Sequence, residues 1–260
     1  MNSEPTAKAP SRRLSRVAEL IREEGITAVS RKLFRLGLSR ASKYKAQKGQ
    51  DLWVLDSLGK PQNGYFVDLA ASDGITYSNT WALEKIWNWD GIVIEPNPYF
   101  FREMITRRDV RAYECAVDEQ SGTVPFRIDN GGLGGIVADD TDNNPTVRGD
   151  QLEHAEIVDI PARTLTDLLD EAQAPRTIEY LSLDVEGAEE RVLRGLDLDT
   201  YTFYCMTIER PSDASHYRLL DNGYRFVKNE MLDAFYIHES HPYADAIACD
   251  EYRSIPRKPR

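Results

Sequence analysis

The 260-residue chain predicts an α/β fold, a mostly parallel sheet with helices on both faces. Short apolar runs alternate with helical segments from residue 64 onward. Each run ends in a carboxylate or a tight turn, as strands feeding one edge of an open sheet do. Helix-period stretches precede this pattern, so a helical N-terminal extension is expected before a Rossmann-like body.

Residues 1–11 are polar and read as disordered. Leu14, Val17, Ala18 and Ile21 share one helical face, interrupted at Gly25; Val29, Leu33 and Leu36 form a second stretch ending near Gly37. These residues, 1–47, read as a basic helical extension, residues 48–240 as the catalytic domain and 241–260 as a tail. Tyr65–Leu69 is strand one and Asn79–Trp87 its helix. Gly91–Glu95 is strand two and Pro98–Arg107 its helix, with Phe101, Met104 and Ile105 inward. Val110–Val117 is strand three, and Val124–Ile128 an additional edge strand. Residues 129–150 are punctuated by Gly, Asp and Asn and read as a long loop, a length usually functional or disordered. Glu156–Ile160 is a short strand, and Thr164 or Thr166 caps the helix carrying Leu168 and Leu169. Ile178–Asp184 is strand four, Ala188–Leu196 its helix, and Phe203–Glu209 strand five. The following helix ends at Asn222-Gly223, and Tyr224–Lys228 with Ala234–His238 form a closing hairpin.

Composition narrows the function classes. At 41% hydrophobic and 29% charged the chain can bury a sizeable core. No apolar run approaches the roughly 20 residues that span a bilayer. The opening MNSEPTAKAPSRRLSR lacks the apolar core of a secretory signal, and Cys115, Cys205 and Cys249 follow neither metal nor disulfide spacing. A reducing cytoplasm is the simplest expectation. The net charge of −11 divides into +8 over residues 1–50 and −19 over the rest. The acidic body should repel nucleic acid, while the basic arm is expected to pack on that body or on a partner. Peripheral membrane contact by the arm, and a homo-oligomer, are compatible with the sequence.

The first turn decides the cofactor class. The G-x-G-x-x-G fingerprint that holds a pyrophosphate is absent, which disfavours a nicotinamide enzyme. Instead Asp68 is followed by Ala70, Ala71, Ser72, Asp73 and Gly74. Small residues let a ligand lie close to the backbone, and an acid suits an ammonium group better than a phosphate. Glu95 follows Asp68 by 27 positions and ends strand two, where an acid accepts hydrogen bonds from ribose hydroxyls. As a strand-end acid it is expected outside the core. An adenosine bearing an amino-acid tail and no phosphate satisfies both acids, which describes S-adenosylmethionine.

The blocks GYFVDLAASDGITYSNTWALEK, GIVIEPNPYFF, LSLDVEGAEERVLRGL, TIERP and NGYRFV, led in by GQDLWVLDSL, resemble the FkbM-type methyltransferase family over roughly residues 48–238. The resemblance implies the seven-stranded class I methyltransferase fold, S-adenosylmethionine as donor, and O-methylation of a sugar, glycan or secondary-metabolite hydroxyl. It implies that Asp68, Ala70, Asp73 and Gly74 line the methionine end, with Ser78 and Asn79 nearby. Glu95 would hold the ribose, Pro96 and Asn97 would flank the adenosine, and Cys115, Ala116 and Val117 would approach the adenine. Ala70 stands where this turn often has Gly, a replacement that should be tolerated if φ there is negative. Arg210 stands where the family often has His, which weakens a histidine-base mechanism at that place.

Methyl transfer is an in-line displacement, and the acceptor hydroxyl must lose a proton. Asp184, Glu186 and Glu209 are the catalytic candidates, brought together by two strand ends. Asp184 and Glu209 could also hold Mg²⁺ or another divalent ion, which prefers oxygen ligands. Alternatively Glu186 caps its helix and Glu209 pairs with Arg210. Of His154, His216, His238 and His241, His238 at a strand end is the best placed as a base. Tyr77, Trp81 and Trp87 could stack a sugar. The rival from another class is a non-catalytic scaffold that kept the fold.

Overall fold

Strands with apolar residues at every position need cover on both faces. In the computed structural model, which describes residues 43–255, that condition is met by one central sheet. Its seven strands run in the order β10-β11-β9-β8-β1-β2-β3. They are β1 Tyr65–Leu69, β2 Asp90–Ile94, β3 Arg111–Tyr113, β8 Thr177–Leu183, β9 Thr202–Glu209, β10 Tyr224–Glu230 and β11 Asp233–His238. β1 pairs in parallel with β2 and β8, and β8 with β9; β11 is antiparallel to both β9 and β10. Period-two alternation sends Val67, Leu69, Leu181 and Leu183 into one core and Phe66, Val93, Tyr180 and Cys205 into the other.

The chain moves outward through β1, β2 and β3, then returns to the far side of β1 at β8. The strand order therefore reverses between β1 and β8, and a crevice opens beyond their carboxyl ends. Helices follow with local signals: Asn97, Thr164 and Ser212 each accept a hydrogen bond from a first-turn amide of Pro98–Met104, Leu165–Ala172 and Asp213–Asp221. The capping residue at 164–166 is thus Thr164; Thr166 instead donates to the Gly195 carbonyl.

Two expectations are corrected. The segment 110–117 is not one strand: after β3 the chain leaves the main sheet, and Ala116–Val117 becomes β4 of a second sheet. That sheet runs β4-β7-β5-β6, with β5 Gly122–Arg127, β6 Gly135–Ile136 and β7 Ile157–Arg163. The segment 129–150, read as loop, supplies β6 and a helical turn at Pro145–Arg148. Local patterning missed both because their partners are distant in sequence.

The two expected N-terminal helices lie outside the described residues. From Tyr44 onward the chain forms one compact unit. Residues 44–49 are drawn in by the buried Asp51 carboxylate, which accepts from the Lys45 and Ala46 amides at 3.0 and 3.3 Å. The C-terminal segment is also tied down: Tyr252 stacks on His216 at 3.5 Å and donates to Asp213 at 3.2 Å. Among the described residues no helix is long and apolar enough to cross a membrane.

Candidate active site

Two cavities meet at Leu69 and Ala70, beside the point where strand order reverses. The first is a narrow apolar slot between Ile94, Pro96, Cys115, Ala116 and Val117 on one side and Phe126, Gly135, Ile136, Val185 and Ala188 on the other. The second sheet contributes to it Ala116 and Val117 from one strand, Phe126 from another and Gly135 and Ile136 from the strand that sequence patterning did not foresee. The second is a cleft of about 650 Å³ lined by Asp68, Ala70, Asp73, Ser78, Asn79, Asp184, Glu186 and Glu209, with Gln47, Lys48, Gln50, Tyr77, Phe100 and Met231 toward its other walls. That size is ordinary for a small-molecule site.

The turn after β1 is held in an uncommon conformation. Ala70 has φ +56°, so the negative angle at which Ala would be readily tolerated is not met, and Ser72 has φ +51°. A left-handed backbone at a residue with a Cβ costs about 1–2 kcal/mol. The turn is stabilised from outside: Glu95 accepts from the Ser72 amide at 2.7 Å and from the Asn97 amide at 2.8 Å. Glu95 is therefore buried, contrary to expectation, and clamps the turns after β1 and β2 together. Burial pushes its carboxyl from the usual 4.5 up to about 7 despite those two amides. The cavity lining at this point comes from its neighbours Ile94 and Pro96.

Asp68 is also buried, accepting from Thr80 Oγ1 at 2.5 Å with Arg108 Nη1 at 3.9 Å. Burial raises its pKa, while Arg108, Thr80 and Ser182 work against that. Asp73 accepts from the Ile75 and Thr76 amides and pairs with Arg107 at 2.8 Å, so its carboxylate mainly builds the turn. Gly74 takes φ +79° against the Arg108 side chain. Ser78 accepts from the Trp81 amide at 3.0 Å, and Asn79 donates to Ser182 at 3.0 Å. Asn97 caps its helix and donates to the Ile128 carbonyl at 3.0 Å. Cys115, Ala116 and Val117 line the slot, and burial pushes the Cys115 thiol up to about 11, so it behaves as an apolar wall.

The acidic end of the cleft comes from β8, β9 and the 129–150 segment. Asp184, Glu189 and Glu209 bring carboxylate oxygens within 4.8 Å of one another. Asp184 opens onto cleft solvent although protein surrounds it. Its depth, then the charges of Glu209, Glu186 and Asp233, hold its carboxyl well above the ordinary range. The crowding of negative charge is the firmer cause, because solvent reaches the group. Glu189, which sequence reasoning missed, accepts from the Val185 and Gly187 amides at 3.2 and 3.1 Å. The helix-capping role considered for Glu186 is not seen: the N-cap of Glu189–Arg194 is Ala188, and Glu186 meets Arg148 at 3.4 Å. Glu209 pairs with Arg210 at 2.8 Å, as the alternative reading held. Gly187 sits where a Cβ would collide with the Asp142 backbone, so this turn and the 129–150 segment pack directly.

Other sequence candidates lie elsewhere. β11 is antiparallel, so His238 ends at the opposite edge of the sheet from the crevice, bonded to Ser240 at 2.7 Å. Asp233, at the start of β11, is the residue paired across from Glu209; it receives Lys48 at 2.8 Å and Gln50 at 2.6 Å. Of the three aromatics considered, Tyr77 lines the cleft, whereas Trp87 packs on the core and Trp81 lies under Lys45.

The Methyltransferase FkbM domain matches residues 68–226. The chain is similar to the solved FkbM methyltransferase from Methylobacillus flagellatus KT, at 14% identity and a TM-score of 0.44, over 68% of this chain and 44% of that one. It is similar to the METTL16 MTase domain, at 14% identity and a TM-score of 0.40, over 73% of this chain and 65% of that one. A precorrin-6y C5,15-methyltransferase from Geobacter metallireducens GS-15 is similar at 11% identity and a TM-score of 0.37, over 72% of this chain and 85% of that one. The chain thus spans less than two thirds of the first two proteins. No curated protein matches it.

Proposed function

The chain belongs to the FkbM methyltransferase family, and from that premise we propose that it transfers a methyl group from S-adenosylmethionine to a hydroxyl of a sugar, glycan or secondary metabolite. One observation carries this reading: an apolar slot and a polar cleft meet at Ala70, where the strand order reverses. The apolar lining of the slot, Pro96, Cys115, Ala116, Val117 and Phe126, matches the faces of an adenine in character. Glu95 stands just behind the lining residues Ile94 and Pro96, and the lone pairs left beyond its two amide bonds would serve ribose hydroxyls that reach it there. The Asp68–Gly74 turn suits the amino-acid tail. When bound, the donor supplies a methyl group activated on a sulfonium.

The chain's own groups then align and deprotonate the acceptor. Positioning the reacting atoms within about 3–3.5 Å can supply about 7–11 kcal/mol. Asp184, Glu186 and Glu209 edge the acceptor side, and the proton leaves toward Asp184 or Glu209. The −19 balance of residues 51–260 supports an acceptor other than nucleic acid. Cysteines without disulfide partners, Cys115, Cys205 and Cys249, support a cytoplasmic setting.

Thermal shift separates the readings. S-adenosylmethionine or S-adenosylhomocysteine at 100 times its Kd should stabilise by about 2.7 kcal/mol, and NAD should not. Labelled methyl uptake by a panel of glycans and hydroxylated metabolites then tests the transfer. A chain that binds neither S-adenosyl compound would be a scaffold.

A further inference from the structure

Asp184, Glu189 and Glu209 converge, and Glu186 and Asp142 lie beside them. Carboxylates gathered in a partly desolvated cleft need a counter-charge. A hard divalent ion held by oxygen ligands is the usual answer. This chain carries a cation beside that cluster, on its Glu209 edge. Arg210 follows Glu209 directly, at φ +43°. Its Nη2 lies 2.8 Å from Glu209, 2.7 Å from Asp142 and 3.8 Å from Glu186. A single nitrogen is thus shared by carboxylates from β9, from the 129–150 segment and from the turn after β8. The left-handed backbone at a residue that is not glycine shows that surrounding contacts hold this geometry.

We propose that Arg210, with Arg148 on the far side of Glu186, supplies the counter-charge of the acidic centre in place of a divalent metal, and that it positions Glu209 and Glu186 toward the acceptor. This rests on reading the cleft as the methyl-transfer site. Arg210 lies behind the cleft lining, not in it, so it is a positioning residue. A guanidinium is planar and directional, and always charged. It fixes carboxylate orientation without taking up a ligand from solution.

The test is Mn²⁺ binding to the full chain, followed by electron paramagnetic resonance. Wild type and Arg210→Lys, which both keep a cation, should show no stoichiometric Mn²⁺ up to millimolar concentration. Arg210→Ala should bind one Mn²⁺ per chain, roughly tenfold or more tighter than wild type. Adding Asp184→Asn to that variant should abolish the gain. Stoichiometric Mn²⁺ on wild type that disappears in Asp184→Asn would overturn the proposal. So would a folded Arg210→Ala chain with no gain. Should Arg210→Ala not fold, the wild-type and Arg210→Lys measurements still decide. With an acceptor in hand, chelator should leave wild-type turnover unchanged, and Arg210→Lys should lower kcat more than it raises KM. Failure to bind S-adenosylhomocysteine would strike the methyltransferase reading alone, since the Mn²⁺ pattern does not depend on the donor.

Discussion

Replacing Glu95 by Gln separates two roles that one carboxylate performs. In the fold, its two oxygens accept the Ser72 and Asn97 amides at 2.7 and 2.8 Å. Gln offers one acceptor oxygen and turns an NH₂ toward the other amide. Leaving one buried amide without a partner costs about 1–3 kcal/mol. In the site, a carboxylate facing ribose hydroxyls contributes about 1.5–3 kcal/mol, so S-adenosylhomocysteine affinity should fall roughly 10- to 150-fold. The pH dependence tells the roles apart. Burial, with Asp68 charge adding to it, raises the Glu95 pKa from 4.5 to about 7. A carboxyl raised on folding contributes stability that is fully present below 4.5 and is lost as pH rises through about 7. The interval corresponds to about 3 kcal/mol as an order of magnitude. Urea melts of wild type and Glu95→Gln between pH 5 and 8 should therefore show the wild-type advantage shrinking as pH rises. Ribose binding runs the other way, because hydroxyl donors favour the ionised carboxylate. Calorimetry should show wild-type affinity rising through pH 7 and the variant flat. A stability difference independent of pH, or unchanged affinity in the variant, would refute the assignment of Glu95.

Three further outcomes are expected. Asp184→Asn should cut turnover by at least about 100-fold while moving the donor KM little, because a group that acts on the acceptor proton works mainly in the transition state; full activity in steady-state assays would remove it from the chemistry. Ala70→Gly should raise stability by up to about 1 kcal/mol, since relief of the left-handed strain outweighs the added chain entropy, and a lowered melting midpoint would mean the φ of +56° is not a source of strain. Tyr252→Ala should cost about 1–2 kcal/mol through loss of its stack on His216 and its bond to Asp213. If its chemical denaturation matched wild type, the C-terminal segment would not be part of the folded unit.

Much of the site was legible from strand ends alone. Asp68, Asp184 and Glu209 all stand at the crevice because parallel strands deliver their carboxyl ends to one edge. Two readings failed for an identifiable reason. His238 ends a strand by sequence, but strand direction is set by pairing, and antiparallel β11 sends it to the far edge. Glu95 reads as a polar strand end, yet its depth depends on two turns closing over it.

What the sequence by itself determined is local and periodic: the apolar runs of β1, β2, β8 and β9, a helix cap at Thr164 or Thr166, and the acid-bearing turns between them. These follow from residue types a few positions apart, whose effects do not need a partner. Only the tertiary structure decided the second sheet that walls the slot, and the meeting of Arg210 with Asp142, 68 positions earlier in the chain. Those features come from groups distant in sequence. Their pairing is set by the close packing of Gly187 against the 129–150 segment and by the need of buried carboxylates for a cation, neither of which leaves a period to read.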